Sequence, residues 1–196
     1  ATEAPTDVAL RDLRGRLQPA HLAHVMTAAY AIAQRNLEIL YVSPCGHHAF
    51  AKNDKLIPWE HRAEMCRRAF EGFGGTVRIP KWEEKGDYTY TVDLLRDVAR
   101  HGEPHLIIGS DNWDLRHQWK GWDEILDILG GEERILVVPR PDTKMAEQLG
   151  WAMPDVSSTR LRELIAAGNT DEVLKWVPPS VVAYIRHHGL YGHTTR

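Results

Sequence analysis

The chain has 196 residues, with 24 Lys and Arg against 27 Asp and Glu for a formal net charge of −3; that length fits a single domain, 1–196. Near-balance of charge excludes a protein that holds nucleic acid by bulk attraction, so any phosphate ligand needs a local site. With only Cys45 and Cys66, a disulfide-framed scaffold and a four-cysteine zinc site are excluded, and apolar runs such as 106–108 and 135–138 are too short to span a bilayer.

Residues 1–7 are polar and acidic and carry no secretory signal, so a cytoplasmic location is expected. Residues 8–13 read as a strand, although Arg11 and Asp12 suit a buried one poorly. A helix follows over 21–34, where Leu22, Val25, Met26, Ala29 and Ile32 recur at helical spacing. Strand 37–42 ends at Ser43-Pro44, and helix 58–70 opens on Pro58, where a missing N–H costs nothing. Next come strand 76–79, amphipathic helix 91–100, strand 106–108 closing on Gly109, helix 119–129 and strand 135–138. A short helix at 144–149 and three more at 158–167, 170–175 and 180–188 finish the chain, so 156–191 form a helical C-terminal portion.

Strands separated by helices require crossover connections. The expected fold is therefore α/β, a doubly wound and mostly parallel sheet covered on both faces. Ligands of such sheets bind beyond the carboxyl ends of the strands, here after Leu13, Val42, Ile79, Ile108 and Val138.

Two of these regions look suited to anions. In Gly15-Arg16-Leu17-Gln18-Pro19-Ala20-His21-Leu22-Ala23-His24, the two histidines lie three apart on the first turn of a helix. A helix N-terminus offers free N–H groups and partial positive charge, and imidazoles there can donate to phosphate oxygens. Taken alone, the pair is better read as ordinary surface or core histidines, and no third ligand is marked for a metal. In Val156-Ser157-Ser158-Thr159-Arg160-Leu161-Arg162, a serine can cap a helix while Arg162 sits one turn on. Hydroxyls, N–H groups and a guanidinium then converge, though a capped helix with a solvated arginine is the plainer reading.

Together the two helix starts look like halves of a triphosphate cradle. The first stretch resembles the H-x-G-H signature of the nucleotidyltransferase superfamily, and Ser157-Ser158-Thr159-Arg160-Leu161-Arg162 resembles its I-S-S-T-x-I-R signature. The middle of the chain is similar to bacterial nicotinate-nucleotide adenylyltransferases. Tyr88-Thr89-Tyr90-Thr91-Val92-Asp93-Leu94-Leu95 resembles their S-Y-T-V-D-T-L, Ile107-Ile108-Gly109-Ser110-Asp111 their I-I-G-x-D, and Trp119-Lys120-Gly121-Trp122 their W-K-x-W. His61-Arg62-Ala63-Glu64-Met65 is similar to H-R-x-x-M, and residues 177–191 resemble the C-terminal helix. The likeness runs in order over about 8–191. It departs in the first motif: Arg14, Arg16 and Leu17 replace the usual Gly, Ser/Thr and Phe, and Ala23 replaces the Gly of H-x-G-H. Residues 15–19 instead resemble the G-R-F-Q-P of the archaeal nicotinamide-mononucleotide type.

The resemblance implies a Rossmann-like fold and transfer of AMP from ATP to nicotinate mononucleotide. It implies His21, His24 and Arg16 as catalytic residues, and Gly15, Gly109, Asp111, Ser157, Ser158, Thr159 and Arg162 as ATP-binding ones. Thr91 and Trp119 would meet the pyridine substrate, as would Lys52, which is equally a solvated loop lysine. Mg²⁺ would be carried in on ATP. The expected partners are ATP and nicotinate mononucleotide, with no nucleic acid and no membrane, and a homodimer is left open. Trp122, Trp151 and Trp176 are expected in the core. Other readings are an adenylyltransferase for nicotinamide mononucleotide or phosphopantetheine, a nucleotide-binding pseudoenzyme, and zinc binding through some of the eleven histidines.

Overall fold

The computed structural model describes residues 7–11 as backbone, together with residues 17–46, 56–85, 88 and 90–192. Among the described residues, β1 (Asp7–Arg11), β2 (Ile39–Val42), β3 (Val77–Arg78), β4 (Glu103–Gly109) and β5 (Ile135–Val138) form one sheet in the order β3-β2-β1-β4-β5. Every pairing is parallel. β1 is central, and its Leu10 stands beside Tyr41 on one flank and Leu106 on the other. The chain winds outward through β2 and β3, then crosses back to β4. The topological switch point therefore lies between β1 and β4, where ligands of this architecture bind.

The first half of the chain supplies helices α1 (Leu22–Arg35), α2 (Trp59–Ala69) and α3 (Thr91–Val98). Then come α4 (Ser110–Asp114), α5 (Trp122–Leu129), α6 (Lys144–Leu149), α7 (Ser158–Ala166), α8 (Thr170–Leu174) and α9 (Pro179–His187). Successive residues of a strand point to opposite faces, and the core divides accordingly. Leu40, Val42 and Ile107 pack with Ala28, Met65, Leu161 and Val181, whereas Leu106, Ile108 and Ile135 pack with Leu94, Leu95, Ile125 and Leu129. Burial on both faces is what a parallel sheet requires. The doubly wound expectation holds, with all pairings parallel.

The boundaries differ where tertiary contacts intervene. β4 starts three residues before the apolar run at 106–108, because Pro104 and His105 pair with Val8 and Ala9. The helix expected over 119–129 begins only at Trp122. Gly121 before it takes φ 72°, and a Cβ there would lie 3.2 Å from Val92 Cγ1, so the chain turns where it touches α3. Residues 12 and 13 of the expected first strand lie outside the described residues.

Two tryptophans correct the core expectation: Trp151 is 39% exposed and Trp176 36%. Trp151 lies in the irregular stretch after α6, edge-on to Tyr30 with centroids 5.1 Å apart. Trp176 follows α8, where Val173 and Val177 take the inward positions. Trp122 is partly buried against the second cluster, as expected. No helix among the described residues is long and apolar enough to cross a membrane.

Candidate active site

His21 is the N-cap of α1, with extended backbone at φ −142° and ψ 172°, and it is buried. Its backbone N–H donates to His24 Nδ1 at 3.1 Å. The two rings stack with centroids 3.6 Å apart and a 24° tilt. A ring nitrogen that accepts carries no proton, so neutral His24 has its hydrogen on Nε2. The backbone thus sets the tautomer and leaves Nε2–H as the donor. Ala23, which replaces the Gly of H-x-G-H, buries its methyl in the first core cluster. That departure is accommodated by packing and does not disturb the histidine pair.

At the other helix start, Ser157 caps α7, its Oγ accepting from the Arg160 N–H at 3.3 Å. Arg162 Nη1 donates to the Ser158 carbonyl (3.1 Å) and to the Gln18 carbonyl (2.9 Å), while Nη2 donates to Thr159 Oγ1 (3.0 Å). One guanidinium therefore ties α7 to the loop that enters α1. The structure brings together the signatures around His21 and around Ser157, which the sequence holds far apart. Burial raises the Tyr191 phenol well above its ordinary range, against the pull of the Arg162 and Arg62 charges.

The carboxyl end of β4 runs directly into α4, a turn of helix that the sequence pattern did not suggest. A Cβ on Gly109 would displace the tip of Asp111 and lie 3.0 Å from Arg140 Cγ, so the missing side chain leaves these two room to close over the strand end. Buried Ser110 accepts from the Arg140 N–H at 2.8 Å. Thr143 Oγ1 donates to the Arg140 carbonyl at 2.8 Å, which leaves the Ser110 hydroxyl to donate to Thr143 Oγ1 at 2.9 Å. This net fastens the end of β4 to the turn after β5 and leaves Asp111 exposed above it.

Trp119 packs against the second core cluster, to which the helix that Thr91 opens contributes Val92, Leu94, Leu95 and Val98. Thr91 opens α3 and is buried, and Trp119 is partly buried. Trp119 stands edge-on to Trp122, with centroids 6.0 Å apart at 88°. Lys120 Nζ lies 4.3 Å from the Tyr90 ring centroid, which brings the turn bearing Trp119 beside the start of α3. Gly15, Arg16 and Lys52 lie outside the described residues. No group of three His, Cys, Asp or Glu side chains that could hold a metal ion occurs among the described residues. Four residues in this region escaped the motif reading as site residues: Gln18, Arg62, Ser110 and Thr143. The first three sit inside the quoted motifs, but their partners are distant in sequence.

The cytidylyltransferase-like family matches residues 13–164. A probable nicotinate-nucleotide adenylyltransferase of Myxococcus xanthus is 36% identical over 185 residues, 92% of this chain and 93% of that protein. A protein of the same description from Streptococcus pneumoniae is 30% identical over 187 residues, 91% of this chain and 87% of its own. Among solved structures, the nicotinic acid mononucleotide adenylyltransferase of Plasmodium falciparum, complexed with NaAD, shares the fold with a TM-score of 0.71 at 17% identity. That likeness covers 96% of this chain and 98% of the other. The chain belongs to the cytidylyltransferase-like nucleotidyltransferases and, within them, to the nicotinate-nucleotide adenylyltransferase family.

Proposed function

We propose that this protein transfers AMP from ATP to the 5′-phosphate of nicotinate mononucleotide, forming nicotinate adenine dinucleotide and pyrophosphate in NAD biosynthesis. The observation that carries the reading is the Arg162 bridge to the Gln18 carbonyl at 2.9 Å, which joins the two helix starts and supports reading them as one anion site. The family relationship supplies the substrate class.

In the reaction, a phosphate oxygen of the mononucleotide attacks the α-phosphorus of ATP. The bond from that phosphorus to the bridging oxygen breaks, and pyrophosphate leaves with the electron pair. No covalent enzyme intermediate is needed, so placement and charge stabilisation carry the catalysis. His24 Nε2–H, with His21 stacked behind it, donates to the α- and β-phosphate oxygens as their charge grows. Arg162, Ser157, Ser158 and Thr159 hold the β,γ-portion that departs. Asp111 accepts from the ribose hydroxyls and Gly109 admits the nucleotide close to the strand end. Gly15 and Arg16 extend the phosphate side, and Lys52 approaches the substrate phosphate. Mg²⁺ would enter as part of the ATP substrate and offset the charge of its phosphates.

Trp119 stacks on the pyridine ring and Thr91 donates to its carboxylate. A carboxylate only accepts, whereas an amide also presents two hydrogens. A pocket of donors therefore favours the acid over the amide by about 1–3 kcal/mol. The reading includes a cytoplasmic site of action for the whole chain as one domain, and leaves a homodimer open.

The test is product identification after mixing the protein with ATP, Mg²⁺ and equal amounts of nicotinate and nicotinamide mononucleotides. Nicotinate adenine dinucleotide and equimolar pyrophosphate are expected, with the amide product in the minority. Nucleotide binding without any pyrophosphate would identify a pseudoenzyme. No turnover in that mixture, with turnover in a parallel one that holds phosphopantetheine instead, would reassign the acceptor.

A further inference from the structure

Behind the phosphate side lies a set of buried polar groups that the reaction scheme leaves unused. Arg62 on α2 is 2% exposed, and Gln18 and Glu83 are fully buried. Arg62 Nε donates to the Ile57 carbonyl at 3.0 Å, and Nη1 donates to the Cys45 carbonyl at 2.6 Å. One guanidinium thus fixes two separate points of the chain beyond β2. The Cys45–Gly46 peptide is held from its other end as well, because the Gly46 N–H donates to Glu83 Oε2 at 3.0 Å. The carbonyl and N–H of a trans peptide point in opposite directions, so a cation and a carboxylate grip it from opposite sides. Bonds of this kind are stronger in an interior than in water, and they leave the clamped backbone little freedom.

The clamp continues towards the active site. Ile57, held through its carbonyl by Arg62, donates its own N–H to Gln18 Oε1 at 3.2 Å. The Gln18 carbonyl in turn accepts from Arg162 Nη1 at 2.9 Å. The path Arg62–Ile57–Gln18–Arg162 joins α2 to α7 through the loop that enters α1. We propose that Gln18 is a positioning residue for Arg162. Its side chain, locked on the N–H of Ile57, a residue that Arg62 holds through its carbonyl, aims the Gln18 carbonyl so that the Arg162 guanidinium is held between the two phosphate-binding helix starts before ATP arrives. A long side chain that is already ordered loses little freedom on binding, and affinity rises accordingly. The inference rests on the assignment of Arg162 to the ATP phosphates.

The test is a double-mutant cycle read by calorimetric binding of Mg²⁺-ATP, with turnover measured alongside, on wild type, Gln18→Leu, Arg162→Ala and the double variant. Leucine is close to glutamine in size but has no acceptor, so packing is largely kept while the Ile57 bond is lost. Gln18→Leu should weaken ATP binding roughly tenfold. The Michaelis constant for ATP should rise while that for nicotinate mononucleotide stays within about twofold. In the Arg162→Ala background the same change should add less than about twofold, because its effect passes through the missing guanidinium. If Gln18→Leu does not fold, Gln18→Asn replaces it in the cycle, its amide one methylene short of Ile57. Additive losses in the double variant, or an equal rise in both Michaelis constants, overturn the proposal. A wild type that binds ATP but forms no dinucleotide refutes the proposed reaction alone, since the cycle is read on binding. A wild type that binds no ATP refutes both.

Discussion

His24 is held twice, by its ring stack on His21 and by the His21 N–H that its Nδ1 accepts at 3.1 Å. In the proposed reaction its Nε2–H is the donor to phosphate. Removing one such donor from a phosphate-transfer site costs roughly 10²–10³ in rate, so His24→Ala should lose that much in kcat. The side chain is only half-buried, and the variant should keep its circular dichroism spectrum and most of its thermal stability. Near-normal turnover, or an unfolded variant, would remove His24 from the chemistry. Arg162→Ala should act on ATP, weakening it by about 1.5–3 kcal/mol, the range of a hydrogen bond to a charged group. Unchanged ATP kinetics together with a collapse of pyridine-nucleotide kinetics would place Arg162 on the other substrate. Trp119 gives a third test at this scale. Stacking does not distinguish acid from amide, so Trp119→Ala should raise the Michaelis constants of both mononucleotides and leave their ratio nearly unchanged. An unaffected constant would confine that ring to its edge-on contact with Trp122.

Between α2 and α9 runs a seam of titratable rings. His61 Nδ1 and the Tyr184 hydroxyl are 2.8 Å apart, and the His188 ring lies 4.3 Å from Tyr184 and 5.1 Å from His61. Burial lowers the His188 pKa, and the charges of His187, His61 and Arg68 lower it further against the opposing pull of Glu64. Burial also raises the Tyr184 phenol. A histidine with a depressed pKa binds its proton more readily when unfolded, so its contribution is present above the ordinary value of 6.5 and is lost as pH falls through the lower folded value. Thermal melts from pH 7.5 down to 5 should therefore fall more steeply for wild type than for His188→Asn. Parallel curves would show that His188 does not govern the slope. The effect is small because the ring is near solvent. Elements such as Ile135–Val138 and Lys144–Leu149 were legible to the residue, because periodicity and capping are local signals. The late start of α5 and the early start of β4 were not, because Gly121 stops at Val92 and Pro104 pairs with Val8 across the fold.

The alternation of strand and helix dictates a parallel, doubly wound sheet, but no local pattern dictates the order β3-β2-β1-β4-β5. The site shares that limit. Its helix starts were legible as motifs, yet their union depends on a hydrogen bond between residues 144 positions apart in sequence. The Arg62–Gln18 clamp depends on side chains whose motifs say nothing about their backbone partners. Because ATP would bind across α1, α7 and the end of β4, its binding should stabilise the fold as a unit. A ligand present at a hundred times its dissociation constant adds about 2.7 kcal/mol to unfolding. For a chain of this size that is a rise in Tm of roughly 5–11 °C. Arg162→Ala, with binding weakened by about 1.5–3 kcal/mol, should show a gain smaller by about 1.4–2.4 kcal/mol at the same ATP concentration. Melting curves with and without Mg²⁺-ATP on both proteins measure the two shifts under one set of conditions. Equal shifts would mean that Arg162 lies outside the ATP site, and no shift in wild type at saturating ATP would mean that the two helix starts do not form a nucleotide site.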